Sequence, residues 1–117
     1  MTEKIKRGAE GEQLAVALLE EKGYQVLERN YRYRRSEIDL IVRRENWLVF
    51  VEVKTRSSSA FGFPEEFVDA RQKKRILEGA DYYQYITDWK GNVRYDIVAV
   101  NLESGSPRLF HIEDAFY

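Results

Sequence analysis

Across residues 7–22 the apolar side chains Leu14, Ala15, Leu18 and Leu19 recur at helical spacing, and Gly23 follows where a helix end favours a left-handed residue. The rhythm then changes to that of strands. Residues 24–29 are rich in strand formers and run into a polar arginine and tyrosine stretch; 37–43 and 47–55 read as two strands joined by a turn at Glu45-Asn46. Gly62 and Pro64 mark a loop before a second helix over 70–86, where Asp69 can cap the first turn and Gln72 completes a capping-box pattern. Its inward stripe is Ile76, Leu77, Ala80 and Tyr83. Lys90-Gly91-Asn92 is a turn, 94–102 a further strand, and 109–112 a short last one. The order α-β-β-β-α-β, with that one strand more, predicts an α/β fold: a mixed central sheet flanked by helices, in one domain over 1–117.

The two central strands suggest a register. In an antiparallel hairpin, opposed residues have a constant sum of sequence numbers and project to the same face. Setting Asp39 opposite Glu52 places Glu37 opposite Lys54, Ile41 opposite Phe50 and Arg43 opposite Leu48, with 44–47 as a four-residue loop. This register keeps Ile38, Leu40, Val42, Val49, Val51 and Val53 on one apolar face and gathers Glu37, Asp39, Glu52 and Lys54 on the other. Acids and a lysine among strong strand formers are expensive to bury without partners. Asp39 and Glu52 could hold a cation, with the Val53 carbonyl oxygen as a third ligand. Lys54 could then orient or deprotonate a water, or neutralise charge on a phosphoryl group. The competing reading is a cross-strand ion pair of Glu37 with Lys54 on a solvated face, the commoner meaning of such residues in a hairpin.

Composition narrows the chemistry. The 117 residues hold no cysteine and a single histidine, His111, which excludes disulfides, thiolate sites and zinc centres needing two histidines. Any metal must then be a hard cation on carboxylates, Mg²⁺ or Mn²⁺. No apolar run is long enough to span a membrane and no signal-type segment follows the N-terminus, so a cytoplasmic protein without a membrane partner is expected. With 19 basic against 20 acidic residues, attraction to nucleic acid must come from how charge is distributed. Arg29, Arg32, Arg34 and Arg35 sit among tyrosines, a mixture that can hold phosphates and stack on unpaired bases, although a solvated loop would look the same. Lys73, on the inward side of the second helix near its N-terminus, could reach a phosphate there or snorkel out of the core stripe. Glu12 lies in line with Gly8, Ala15 and Leu19, and Gly8 and Gly11 suggest close backbone packing. A carboxylate in an apolar stripe needs a partner, which a site at the sheet edge would provide; the helix dipole alone also favours an acid there. His111 reads as an ordinary strand histidine.

In order and spacing, Gly8-x-x-Gly11-Glu12-x-x-Ala15, Glu28-Arg29-Asn30-Tyr31-Arg32, Glu37-Ile38-Asp39-Leu40-Ile41, Phe50-Val51-Glu52-Val53-Lys54-Thr55-Arg56 and Arg94-Tyr95-Asp96-Ile97-Val98 resemble the YraN-like family of small bacterial proteins. That family is placed in the PD-(D/E)XK nuclease superfamily, alongside archaeal Holliday-junction resolvases. One position departs: Ser36 stands where the family usually has glycine. The resemblance implies a restriction-endonuclease-like fold, a catalytic Asp39, Glu52 and Lys54, and Glu12 as an accessory carboxylate, with Glu37 a lesser candidate. The function expected is a Mg²⁺-dependent DNA endonuclease acting on branched or other non-duplex DNA, as a homodimer by analogy. A non-catalytic nucleic-acid-binding module that retains the fold is the alternative.

Overall fold

The computed structural model describes residues 3–56, 68–102 and 106–116, with side chains from Gly8 onward; the loop expected around Gly62 and Pro64 lies outside the described residues. The elements are α1 (Glu3–Glu21), β1 (Gln25–Tyr33), β2 (Ser36–Arg44), β3 (Trp47–Arg56), α2 (Ala70–Thr87), β4 (Asn92–Asn101) and β5 (Arg108–Ile112). The strands form one mixed sheet in the order β1-β2-β3-β4-β5. The first three pair antiparallel, β3 and β4 pair parallel across the α2 crossover, and β5 returns antiparallel. The expected α/β architecture is the one the chain adopts. The arginine and tyrosine stretch, expected outside the strand, continues β1 to Tyr33, and Arg34-Arg35 make the turn.

Each helix covers one face. Gly23, at φ 92°, ends α1 as expected: the Gly23 and Tyr24 amides donate to the Glu20 and Leu19 carbonyls at 3.0 and 2.9 Å. The helix lays Ala15, Val16 and Leu19 against Leu40, Val42, Val49, Val51, Val98 and Val100. On the other face Ile76, Ala80 and Tyr83 of α2 meet Ile38, Ile41, Leu48, Phe50, Tyr95 and Ile97.

The β2–β3 register is the one predicted for Ile41 with Phe50 and Arg43 with Leu48. The loop is shorter than expected, because Arg44 also pairs with Trp47 and leaves only Glu45-Asn46 in the turn, with Glu45 at φ 54°. The ladder ends at Leu40 and Val51. There the single apolar face drawn from sequence breaks down. Leu40, Val42, Val49 and Val51 share the α1 cluster with Val53 packed against it, but Ile38 joins the α2 cluster. Two residues apart on one strand, Ile38 and Leu40 therefore face opposite ways, and Asp39 is the point where the alternation slips. β1 slips beside it. Its pairs Arg29 with Leu40 and Tyr31 with Ile38 bracket Asn30 and Asp39 as opposed residues. Arg29 reaches Glu12 and Gln13 on α1, whereas Tyr31 meets the Tyr83 ring of α2 edge-on at 5.1 Å. Asn30 absorbs the change with φ 52°, a left-handed backbone that asparagine tolerates.

Close approach seats α1 on β3. A Cβ on Gly11 would lie 2.0 Å from Thr55 Oγ1 and 3.0 Å from Thr55 Cβ. Gly8, expected to pack closely too, is exposed and has open space around it. Gly8→Ala should accordingly stabilise the protein by about 0.5–1 kcal/mol through helix propensity. Gly11→Ala should destabilise it by about 1–3 kcal/mol through overpacking. Urea unfolding measures both, and a Gly11→Ala variant as stable as Gly8→Ala contradicts this seat.

Candidate active site

Where β2 leaves β3, main-chain groups of β3 lose their partners. The pairs from Arg44 with Trp47 to Leu40 with Val51 point the N–H and C=O of alternate β3 residues at β2, so Val53 is the next in line. Its amide instead donates to Asp39 Oδ2 at 2.8 Å. A side chain thus takes the place of the main-chain acceptor, and the Val53 carbonyl is directed into the same opening. Glu52 Oε1 stands 3.5 Å from the Asp39 amide, at the limit of a hydrogen bond. Asp39, held by the Val53 amide, and Glu52, beside the Asp39 amide, adjoin across the gap.

β3 keeps its alternation, so Glu52 and Lys54 face α2 with Leu48 and Phe50. Gln72, in the first turn of α2, donates its side-chain amide to Glu52 Oε2 at 2.9 Å and accepts from Lys54 Nζ at 3.2 Å. The expected cap is present, with Asp69 Oδ1 accepting the Gln72 backbone amide at 2.8 Å. The second half of the capping box is not: the Gln72 side chain is spent on the site. Sequence reading gave this residue a structural role alone, and nothing local distinguishes the two uses.

Electrostatics mark the pair out. Glu52 is 3% exposed. Burial, then the adjoining Asp39 carboxylate, pushes Glu52 up to about 8 against the pull of Lys54. Burial likewise pushes Asp39 up to about 6, with Glu12 and Glu37 adding to it and the Val53 amide and Lys54 opposing. The local field is short of positive charge.

Other candidates fall into place unequally. Glu12 accepts from Arg29 Nε at 3.3 Å and Asn30 Nδ2 at 3.1 Å, so its partners come from β1, and it acts on Asp39 through the field. Glu37 is not gathered with Glu52 and Lys54 as expected, since its neighbour Ile38 takes the place on the α2 side. Glu37 lies half-exposed at 3.5 Å from Arg32, and the imagined pair with Lys54 does not form, because the slip at Asp39 has turned this end of β2. Arg29 and Arg32 are thereby occupied with acids of this chain, whereas Arg34 packs over the Tyr33 ring at 5.2 Å and Arg35 is exposed at the same turn. Lys73 is half-buried near the start of α2. Ser36 needs no left-handed backbone; its hydroxyl is buried against Gly79, where a Cβ would come within 2.2 Å of it. A cavity of about 470 Å³ on the outer side of α2 is lined by Tyr33, Arg34, Glu78, Asp81, Tyr82 and Tyr85 and does not include the carboxylate pair.

The profile described as "Uncharacterised protein family UPF0102" matches residues 11–100. The chain belongs to family UPF0102. Among its relatives, a UPF0102 protein of Cytophaga hutchinsonii is 45% identical over 86% of this chain and 89% of its own length. One from Bacteroides thetaiotaomicron is 45% identical over 100% of this chain and 97% of its own, and one from Christiangramia forsetii 39% identical over 100% and 98%. The YraN-like family suggested by the motifs is this one. Among the described residues of this UPF0102 chain, no helix is long and apolar enough to cross a membrane.

The raised carboxylates predict how stability depends on pH in chelator. The native state holds the Glu52 proton more tightly than the unfolded chain does, so this contribution is full below about 4.5 and is lost as pH rises through about 8. Glu52→Gln removes the loss. Its Tm should match wild type near pH 4 and exceed it by roughly 5 °C at pH 9; parallel curves would contradict the assignment.

Proposed function

We propose that this UPF0102 chain is a metal-dependent DNA endonuclease, hydrolysing phosphodiester bonds with Asp39, Glu52, Val53 and Lys54 at the centre of its site. One observation carries the reading: buried Glu52 and half-buried Asp39 adjoin where a strand pair opens, lost hydration pushes both towards holding a proton, and the Asp39 charge adds to it by repulsion at Glu52. A divalent cation relieves that repulsion better than one lysine can. The donor set fits a hard ion, since Asp39, Glu52 and the Val53 carbonyl all offer oxygen. Among the described residues no three acidic or histidine side chains form a closed cage, so water and substrate would complete the coordination. Bound there, Mg²⁺ or Mn²⁺ would polarise a phosphoryl oxygen and make an attacking water easier to ionise.

The chain's own residues supply the rest. Lys54, fixed by Gln72, neutralises charge as it develops on the phosphoryl oxygens. Gln72 keeps Lys54 and Glu52 in a constant relation, and Glu12 adds negative field without touching the reacting group. Arg34 and Arg35, at the β1–β2 turn, and Lys73 on α2 would meet backbone phosphates flanking the scissile bond. The near-neutral chain gathers little DNA by overall charge, which suits a substrate recognised by its shape, such as a branch point. Symmetric cutting of such a branch would call for two copies.

The test is cleavage of linear, flapped and four-way DNA with Mg²⁺, with Mn²⁺, and with EDTA. Wild type should cut at least one substrate only with metal, and Asp39→Ala and Glu52→Ala should each lose at least about 100-fold, roughly 2.7 kcal/mol of barrier. No cleavage of any substrate by wild type, or undiminished cutting by Asp39→Ala, overturns the proposal.

A further inference from the structure

A second buried charged cluster lies across β4 and β5, on the α1 face, and the endonuclease reading makes no use of it. Asp96 is fully buried and accepts from both arms of Arg94, Nε to Oδ1 and a terminal nitrogen to Oδ2, each at 2.8 Å. It also accepts the Asp114 amide at 3.0 Å, and His111 Nε2 lies 2.7 Å from Oδ2. Burial alone would raise the Asp96 carboxyl, but the bonds from Arg94, His111 and Asp114 outweigh it and hold the carboxyl below its usual range. The His111 side chain is 2% exposed and stands edge-on to the Tyr24 ring at 6.2 Å. Its other nitrogen, Nδ1, is 2.8 Å from Lys22 Nζ.

The proton inventory of this chain of contacts is fixed by chemistry. A lysine ammonium can only donate, so Nδ1 accepts from Lys22 and Nε2 carries the proton donated to Asp96. Asp96 therefore sets the tautomer and orientation of His111, and the one lone pair of the imidazole is aimed at an amine. Lys22 is itself exposed to solvent. Further charged groups touch the cluster. Arg44 donates to the Lys22 carbonyl oxygen and packs over Tyr24 at 4.4 Å; Arg94 packs over the same ring and bonds its hydroxyl; Glu113 lies 3.8 Å from Arg94. Along α1, Lys22 is removed from Gly11, the residue seated at the Thr55 end of β3, by about 16 Å at 1.5 Å per residue.

An oriented base on an exposed amine is the arrangement that activates a nucleophile. We propose that Lys22 is an acylation site, made nucleophilic by the Asp96–His111 pair and modified by small thioester or acyl-phosphate donors. The ammonium gives one proton to His111 Nδ1, and the freed nitrogen lone pair attacks the carbonyl carbon of the donor. A C–N bond forms and the C–S or C–O bond breaks, its electron pair leaving with the thiolate or phosphate. The leaving thiolate or phosphate takes the proton from His111, departing as the thiol or as the hydrogenphosphate dianion, and the second amine proton goes to solvent. An uncharged amide remains, which no longer holds His111 by an ammonium bond.

The experiment treats the full chain at pH 7.5 with S-acetyl-N-acetylcysteamine and follows acetylation of each lysine by peptide mass spectrometry, with exposed Lys74 as internal reference. Lys22 should react at least about tenfold faster than Lys74 in the folded protein, and the excess should disappear in 8 M urea. His111→Gln, confirmed folded by circular dichroism, should bring Lys22 down to the Lys74 rate. Equal rates in folded wild type overturn the proposal, as does an excess that survives urea or His111→Gln. The urea arm decides the matter even if the variant fails to fold.

Discussion

Main-chain pairing between β2 and β3 stops at Leu40 and Val51, and the candidate site depends on what happens next. Continuing the ladder would have bonded Val53 to the backbone of β2 and closed the gap. A slip of phase at Asp39, matched by left-handed Asn30 on β1, turns the end of β2 so that Ile38 serves the α2 core while Asp39 reaches sideways to the Val53 amide. The sheet keeps both hydrophobic faces filled and gains an opening lined by oxygens. Single out-of-phase residues of this kind re-aim side chains next to active sites, and here the same device places the two carboxylates together.

The two buried polar clusters are built on opposite terms. Around Asp96 every carboxylate lone pair is met by Arg94, His111 or the Asp114 amide, and the acid is held ionised. At Asp39 and Glu52 the donors are the Val53 amide, the Asp39 amide at the limit of a hydrogen bond, one glutamine and a nearby lysine, and both acids are raised. Burying charge without full compensation lowers stability. A fold that satisfies Asp96 so thoroughly is able to satisfy acids, and the shortfall at the other cluster is what a cation would fill.

Much of this was legible from sequence and some could not be. Local signals were reliable: Gly23 ends α1, Asp69 caps α2, and constant-sum pairing gave the hairpin register. The slip at Asp39 was hidden because both sheet faces are covered. Ile38, Leu40 and Val42 are apolar whichever way each one points, so their alternation carries no information about face. The one available hint was Asn30, a residue at ease with positive φ, standing opposite. Gln72 was obscured by its place in a capping pattern that explained it adequately. The His111 cluster was out of reach for another reason: Lys22 lies 89 residues from His111 in sequence, and only the fold brings them into contact. Strand alternation drew Asp39, Glu52 and Lys54 together, but the expectation that Glu37 joins Glu52 and Lys54 failed with the slip.

Calorimetric titration with Mn²⁺ at pH 8 addresses the central claim most directly, since it asks whether the opening between β2 and β3 holds a cation before any substrate is involved. Wild type should bind one ion per chain, weakly, because water supplies much of the coordination. Asp39→Asn and Glu52→Gln, both folded by circular dichroism, should show no saturable heat. Equal binding by wild type and both variants would contradict the account.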